Sequence, residues 1–427
     1  MKVAFCTLGC KVNQYESQSM EQALIKRGFE CVGASEEADV YIVNSCTVTA
    51  ESDRKTRQNV RHLRKLHPDA VIVLTGCMPQ AFPKDARLLT QADIVTGNRS
   101  NKQIPDMIDE FFRTRERIVR IAQHENGEKF SGELINDFRE RTRATVKIED
   151  GCNRFCSYCV IPYARGRVRS KPLEDIREEI SSLEKKGFSE IILVGINLSA
   201  YGTDCGASIC DAVELAASFD GIKRVRLGSL EPDHMTPEVT KRLAECKKLC
   251  PQFHISLQSG CDKTLKRMNR HYTAAEYEEL CTRLRSEFED ATLTTDVMVG
   301  FSGETKEDFE ISRDFVKKIG FEKVHVFPYS RRAGTRAAEF PDVVENAEKE
   351  RRSREMIAAA GEVRHEFLER QIGRTVEVLF EEKLRDGSIQ GYTANYTPVR
   401  IKSGCTHGLR KVKITACGDD WCEGELI

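Results

Sequence analysis

The sequence predicts an α/β fold in three successive parts. These are an N-terminal parallel-sheet α/β domain (residues 1–113), a partial (β/α)6 barrel (138–368) and a small C-terminal antiparallel β-barrel (371–427). Two observations lead there. Short Val- and Ile-rich runs alternate with helix-period stretches over roughly the first three quarters of the chain, the pattern of parallel sheets covered by helices. The tail instead carries closely spaced short apolar runs around Gly-containing turns, the pattern of a small closed β structure.

Composition narrows the function classes. The chain has 427 residues, with 66 Lys plus Arg against 67 Asp plus Glu, a net charge of −1. That excludes a uniformly basic nucleic-acid coat and an acidic disordered chain, and leaves local basic patches open. No run of apolar residues is long enough for a membrane span. The opening Met1-Lys2-Val3-Ala4-Phe5-Cys6 has neither a signal-peptide apolar core nor an Arg- and Ser-rich transit character, so a cytoplasmic chain is expected. The 17 cysteines are therefore not read as a disulfide framework. Cys6, Cys31, Cys205, Cys210, Cys246, Cys250, Cys261, Cys281, Cys405, Cys417 and Cys422 read as small buried hydrophobes. The other six need a chemical account.

In the first part, residues 2–7, 40–44, 71–75 and 94–96 read as strands, with helices over 15–27 and 53–67. Parallel strands bring their C-terminal ends to one edge, where ligands bind in open α/β sheets. Cys10, Cys46 and Cys77 each follow a strand end by one to three residues, in a turn containing Gly or Ser. Three thiols converging without a local histidine suit an iron–sulfur cluster or zinc.

A second β/α series starts near Arg143. Its strands are expected at 144–148, 190–194, 224–227, 253–257, 293–299 and 323–327, with helices over 173–186, 209–219, 236–247, 274–287 and 306–318. Six repeats suggest a closed or partly closed parallel barrel with ligands at its C-terminal strand ends. Straight after the first strand stands Cys152-Asn153-Arg154-Phe155-Cys156-Ser157-Tyr158-Cys159, a C-x3-C-x2-C loop. Such a loop lets three thiolates meet three corners of a 4Fe–4S cube and leaves one iron free for another ligand. Zinc usually takes four protein ligands in structural sites, and no fourth Cys or His lies nearby. Tyr158 is expected to pack against whatever binds there. Residues 344–371 read as a connecting helix. In the tail, runs at 376–380, 389–392, 396–401 and 412–417 read as strands of an oligonucleotide-binding type barrel.

With its aromatic before the last cysteine, at the end of a barrel's first strand, the loop resembles that of the radical S-adenosylmethionine enzymes. The resemblance implies reductive cleavage of S-adenosylmethionine to methionine and a 5′-deoxyadenosyl radical. It places Gly195 and Asn197 near the methionine amino group, and Ser256 and Gln258 near the ribose and carboxylate. Asp296, Phe327 and Tyr329 close strands five and six near the adenine. The order of the three parts, and the stretch from Cys152 to Ser170, resemble one branch, the methylthiotransferases, whose C-terminal barrel is a TRAM domain. Within it, Thr7-Leu8-Gly9-Cys10-Lys11-Val12-Asn13-Gln14 is more similar to the tRNA enzymes acting on N6-threonylcarbamoyladenosine at position 37 than to the isopentenyladenosine or ribosomal-protein aspartate enzymes.

The resemblance implies two 4Fe–4S clusters with divided labour. Cys152, Cys156 and Cys159 hold the one that makes the radical; Cys10, Cys46 and Cys77 hold the one that carries sulfur at an open iron. One S-adenosylmethionine methylates that sulfur, a second supplies the radical, and the methylthio group joins carbon 2 of the adenine. The implied partners are a tRNA carrying N6-threonylcarbamoyladenosine and an electron donor such as flavodoxin or ferredoxin. Two departures fall in barrel-edge loops: Ser302 and Arg331 stand where proline is usual.

A base entering a barrel mouth must leave its stack, and basic residues should rim that mouth. The candidates are Arg54, Lys55, Arg57, Arg61, Arg64 and Lys65 on one helix; Arg139, Arg141 and Arg143 before the barrel; Arg165, Arg167 and Arg169; and Arg400, Lys402, Arg410, Lys411 and Lys413, a local patch on a tail that is neutral as a whole. Two other readings stay open: radical methylthiolation of a different substrate, and a non-enzymatic iron–sulfur RNA-binding protein. Paired trios speak against the latter, because a purely structural cluster normally has four protein ligands.

Overall fold

The computed structural model describes all residues except 133, 136–141, 403 and 405–407. Its first layer is a six-stranded parallel sheet of β1 (Lys2–Thr7), β2 (Glu30–Val32), β3 (Val40–Ser45), β4 (Val71–Gly76), β5 (Ile94–Thr96) and β6 (Ile118–Arg120), in the order β2-β1-β3-β4-β5-β6. Period-2 alternation decides both faces. Val40, Ile42, Val71 and Val73 pack under the helices Lys11–Lys26 and Ile104–Thr114. Tyr41, Val43, Ile72 and Leu74 pack under the helix Ala50–Leu66. A sheet covered on both faces accounts for the near-continuous apolar runs of β3 and β4. The connections reverse direction between β1 and β3, so ligands are expected at that edge.

The second layer is a half-barrel. β7 (Arg143–Lys147) leads into a short antiparallel pair, β8 (Glu149–Asp150) with β9 (Arg169–Ser170), that frames the cysteine loop. β10 (Glu190–Val194) lies between β7 and β11 (Arg224–Leu227). β12 (Ser229–Leu230), β13 (Gln252–Ile255), β14 (Thr292–Val299) and β15 (Lys323–Pro328) form the other segment, joined to the first by a parallel bridge from Val225 to Leu249. Alternation again sorts the side chains. Ile191 and Leu193 join the core beneath the outer helices, whereas Ile192 and Val194 pack with Val12 and Ile196 at the lumen. Val12 comes from the first layer, so the N-terminal sheet caps the open mouth of the half-barrel.

The helix Asn346–Glu369 leads to a closed barrel of β16 (Thr375–Lys383), β17 (Ile389–Thr393), β18 (Pro398–Ile401), β19 (Gly408–Cys417) and β20 (Cys422–Leu426), ordered β16-β17-β18-β20-β19. It departs from the expectation in two ways. β20 is an additional strand that closes the barrel through a parallel pair with β18. Tyr396, expected in a strand, has φ +67° and sits in the 393–397 turn. Of the cysteines expected to be buried, Cys205 is exposed, and Cys6, Cys31, Cys246 and Cys417 are only partly covered; Cys405 lies outside the described residues. Among the described residues no helix is long and apolar enough to cross a membrane.

The 393–397 turn seals the N-terminal end of the half-barrel. Arg226 donates to the carbonyls of Thr393 and Ala394 at 2.8 Å, and Thr292 Oγ1 donates to the Asn395 carbonyl at 2.6 Å. Arg143 pairs with Glu381 at 2.6 Å and lies over the stacked rings of Tyr392 and Tyr396. Glu190 is the shared counter-charge, fully buried at 2.7 Å from Arg226 and 3.8 Å from both Arg143 and Arg224. Replacing Glu190 by Ala leaves buried guanidinium groups without that carboxylate and is expected to cost about 3–5 kcal/mol. Chemical denaturation of the variant measures this; wild-type stability would contradict the described seal.

Candidate active site

Three thiols gather at the sheet edge. Cys10 precedes the helix Lys11–Lys26, Cys46 follows β3, and Cys77 starts the short helix Cys77–Ala81. The turns need glycine. At Gly9, with φ +102°, a Cβ would stand 2.7 Å from Cys46 Cβ; at Gly76, with φ +97°, it would stand 2.5 Å from the Ser45 backbone. Asn13 organises the trio. Its Nδ2 donates to the carbonyls of Leu8 (2.8 Å) and Ser45 (3.0 Å), and its Oδ1 stands 3.8 Å from Cys10 Sγ and 4.0 Å from Cys77 Sγ.

One fully buried guanidinium joins this trio to the half-barrel. Arg165 Nε donates to Cys77 Sγ at 3.2 Å, and its Nη2 donates to Asn13 Oδ1 at 2.7 Å and Glu16 Oε2 at 2.9 Å. Its Nη1 also pairs with Glu16 and reaches Asp150 at 3.4 Å. Lys147 bridges the same carboxylates, at 2.8 Å from Glu16 and 2.7 Å from Asp150. Burial works against charge at Asp150, yet Lys147, Arg165 and Arg169 hold its carboxyl well below the usual range. Asp150 Oδ1 in turn accepts from Gly151 N at 2.9 Å, and Cys152 N donates to the Gly166 carbonyl at 3.0 Å. The cysteine loop is thus tied through one ion network to the sheet edge.

Cys152, Cys156 and Cys159 lie together in that loop. Cys159 N donates to the Cys156 carbonyl at 3.0 Å, Arg154 N to Cys152 Sγ at 3.5 Å, and Arg270 Nη1 to Cys156 Sγ at 3.4 Å. Burial raises the thiols of Cys46 and Cys159, and pushes Cys77 and Cys152 up to about 12. Without a metal these groups hold their protons, and loading soft metal centres releases them. All six cysteines are free thiols. Among the described residues, no three metal-ligating side chains close on a point that one ion would fill. A set of three thiols without a histidine partner suits three corners of an iron–sulfur cluster.

Around the second trio lie the residues expected to contact S-adenosylmethionine. Gly195 lets Glu149 approach, since a Cβ there would meet Glu149 Oε2 at 2.5 Å. Asn197 N donates to the same oxygen at 2.7 Å. Glu149 Oε1 and Asn197 Oδ1 are buried and left without a partner among the described residues, an acceptor pair suited to a ligand's ammonium group. Burial pushes the Glu149 carboxyl up to about 8. The Ser256 carbonyl accepts from Tyr272 (2.8 Å) and Arg270 (3.2 Å), while Gln258 takes φ +65° and bridges to Val297. Asp296 Oδ2 stands 3.3 Å from His254 Nε2. Phe327 is 44% exposed, but Tyr329 is 4% exposed, packed with Met268, Phe301 and Ala337 beneath Tyr158; it backs the mouth rather than lining it. Sequence reasoning missed Asn13, Glu149, Glu231 and Arg270. Glu231 follows the third strand and had a positional signal; Arg270, its ion-pair partner, follows a helix and had none.

The two loops that depart from proline are tightly held. Arg267 donates to the Ser302 carbonyl at 3.0 Å, Gly303 N to the Asp342 carbonyl at 2.8 Å, and Arg331 Nε to the Ala338 carbonyl. The neighbouring Arg332 pairs with buried Asp53, and Ala50 N donates to Ser330 Oγ at 3.0 Å. The helix Ala50–Leu66 therefore stands at the edge of the mouth. On it Arg54, Lys55, Arg61 and Lys65 are exposed and Arg57 is partly so, but Arg54 pairs with Glu51, and Arg64 is spent on Asp93.

Arg165, expected to rim the mouth, is fully buried and cannot reach a phosphate; its ion pairs explain why. Arg169 is likewise turned inward onto Asp150. Arg167 is exposed over Phe155, beside Tyr163, which is 52% exposed. Arg143 belongs to the lower seal, and Arg139 and Arg141 lie outside the described residues. On the tail barrel Arg400 stacks on Trp421 at 3.6 Å, with Lys402, Arg410, Lys411 and Lys413 exposed.

Replacing Arg165 by Met strands Glu16 and Asp150 and is expected to cost about 3–5 kcal/mol, whereas Arg167→Ala should stay within about 0.5 kcal/mol of wild type. Parallel urea titrations read both; equal stability of the two variants would contradict the described network.

Comparison with known proteins agrees with this geometry. Residues 146–316 match the Radical SAM superfamily model and residues 2–97 match Uncharacterized protein family UPF0004. The chain is 35% identical to the threonylcarbamoyladenosine tRNA methylthiotransferase MtaB of Bacillus subtilis, over 100% of this chain and 96% of that protein. It is 37% identical to the MtaB of Thermotoga maritima, over 99% and 96%. It is 36% identical to the tRNA-2-methylthio-N(6)-dimethylallyladenosine synthase of Carboxydothermus hydrogenoformans, over 99% and 98%. Among solved structures, the radical S-adenosylmethionine methyltransferase TsrM of Kitasatospora setae shares the fold, with a TM-score of 0.56 at 15% identity over 77% of this chain and 74% of that one. On full-length similarity to these relatives, the chain belongs to the radical S-adenosylmethionine tRNA methylthiotransferase family.

Proposed function

We propose that this chain installs a methylthio group on carbon 2 of N6-threonylcarbamoyladenosine at position 37 of tRNA. In this reading Cys152, Cys156 and Cys159 hold one 4Fe–4S cluster, and Cys10, Cys46 and Cys77 hold the other. What carries the reading is the pairing of two incomplete thiol sets joined through Arg165. A carbon–hydrogen bond at adenine carbon 2 is neither acidic nor electrophilic. The clusters and S-adenosylmethionine, when bound, supply the radical and sulfur chemistry that no side chain offers.

The chain's own residues do the rest. Glu149 and Asn197 offer acceptors to the amino group of S-adenosylmethionine, while Tyr158, backed by the buried Phe301, presents its ring beside it. Arg270 donates to Cys156 and spreads charge over that thiolate. The sheet edge and the half-barrel enclose the reacting atoms and keep them dry. Arg57 and Arg61 meet backbone phosphates near the mouth, and Tyr163 with Arg167 offers a stacking surface to unpaired loop bases. Lys402 and Lys411 on the tail barrel extend the grip. The electron donor is a small one-electron carrier such as flavodoxin or ferredoxin, in the cytoplasm.

Dimethylallyladenosine is the alternative substrate that one group of relatives bears in its name. In favour of the amino-acid-bearing base, one side of the half-barrel carries the polar His254, Thr294 and Asp296 facing the apolar cluster of Ile192 and Val194. The test is nucleoside mass spectrometry of tRNA from cells with and without this chain. Loss of the methylthio group from threonylcarbamoyladenosine alone supports the reading; unchanged tRNA overturns it. Cys77→Ala should keep 5′-deoxyadenosine formation, end methylthio insertion and lower bound iron by about four atoms per chain. Methylthio insertion by that variant would remove the N-terminal trio from the mechanism.

A further inference from the structure

One short segment touches the surroundings of both thiol sets. It follows β15 and carries Arg332 and Ala337, both buried. Arg332 is 4% exposed and reaches the sheet edge: its Nη2 donates to Thr47 Oγ1 at 2.8 Å and pairs with Asp53 at 2.5 Å. Thr47 is the residue after Cys46, and its hydroxyl donates to Asp53 Oδ1 at 2.7 Å. The same guanidinium stands 5.0 Å from the ring of Phe82, which ends the short helix that Cys77 begins. Ala337 turns the other way. Its N donates at 2.7 Å to the carbonyl of Ser157, the residue between Cys156 and Tyr158 in the C-x3-C-x2-C loop.

Arg332 and Ala337 are only five residues apart. Even a fully extended chain of that length spans no more than about 18 Å, and this one is folded back on itself. Thr335 N and Thr335 Oγ1 both donate to the Arg332 carbonyl, at 3.2 and 2.7 Å, and Arg331 Nε donates to the Ala338 carbonyl. The last bond closes the loop at the position where a proline would otherwise stiffen it. The half-barrel has two edge strands, β7 and β15. Arg165 ties the sheet edge to the loops after β7, and Arg332 ties it to the loop after β15. One tie between two layers leaves a pivot; a second at the opposite edge removes it.

We propose that Arg332 is a positioning residue: through Thr47 and Asp53 it holds the segment 329–338 as a spacer that sets the separation and facing of the two thiol sets, and hence of the clusters they carry. This rests on the two-cluster reading above and goes beyond it. The spacer acts on the coupling of the two centres and not on either one alone, so its loss separates radical formation from methylthio transfer.

The experiment uses the full-length, cluster-loaded protein. Arg332→Met removes the tie and Arg332→Lys keeps its charge. A single glycine inserted after Gly334 lengthens the segment while every contact residue stays; the point is exposed, and a Cβ at Gly334 would meet nothing within 4 Å. The measurements are 5′-deoxyadenosine formation, methylthio insertion, and the magnetic interaction between the two reduced clusters in the electron paramagnetic resonance spectrum. Arg332→Met and the glycine insertion are expected to keep both clusters and 5′-deoxyadenosine formation, to lose about 10- to 100-fold in methylthio insertion, and to change the interaction between the clusters. Arg332→Lys should recover part of both losses. Wild-type insertion with an unchanged magnetic interaction in these variants overturns the assignment. So does a fall in 5′-deoxyadenosine formation as large as the fall in insertion, which places the effect at the radical centre itself. Wild type that holds fewer than two clusters overturns the two-cluster reading and this one with it. Should Arg332→Met fail to load clusters, the glycine insertion and Arg332→Lys decide.

Discussion

The buried guanidinium of Arg165 is the interaction on which the rest of the site depends. It lies between two layers built from distant parts of the chain and binds Glu16 and Asn13 on one side, Asp150 on the other, and the thiol of Cys77 in the middle. A charge taken wholly out of water persists only where carboxylates and acceptors surround it. That requirement fixes the half-barrel's cysteine loop relative to the sheet edge. Two reactive centres that must address one substrate atom gain from such rigid mutual placement, since small misplacements are costly in rate.

The same logic closes the other end of the lumen. Glu190, fully buried among Arg143, Arg224 and Arg226, holds the tail barrel's 393–397 turn as a plug. The C-terminal barrel is therefore built into the half-barrel: its Tyr396 ring lies against the Arg226 guanidinium at 4.8 Å. The sheet edge and this plug thus lie at opposite ends of the half-barrel lumen. The basic residues of the helix Ala50–Leu66 stand at the edge of the mouth, with Arg54, Lys55, Arg61 and Lys65 exposed.

The strand ends and both cysteine trios were legible in the sequence. Gly or Ser beside cysteine at the ends of Val-rich runs is a local signal, and C-x3-C-x2-C is another. Arg165 was visible only as one of several arginines, and its burial was not, because its partners Glu16 and Asn13 stand 149 and 152 residues away. Nothing in a linear pattern separates a guanidinium that meets solvent from one that meets a carboxylate across a layer boundary. Asn13 and Arg270 escaped for the same reason. β20 escaped because Glu423, Gly424 and Glu425 carry no apolar alternation; its place comes from closing the barrel against β18. Tyr396 was read as the start of the 396–401 strand, whereas its left-handed φ belongs to the plug turn.

The central claim is that two separate sets of three thiolates, held in register by Arg165, each carry an iron–sulfur cluster at one shared cavity. Anomalous diffraction at the iron edge, from crystals of anaerobically loaded protein, tests it most directly. The account predicts two iron centres per chain, one bonded to Cys10, Cys46 and Cys77 and the other to Cys152, Cys156 and Cys159, both opening on the lumen. A single centre, or a second one bound by any other set of residues, would contradict it.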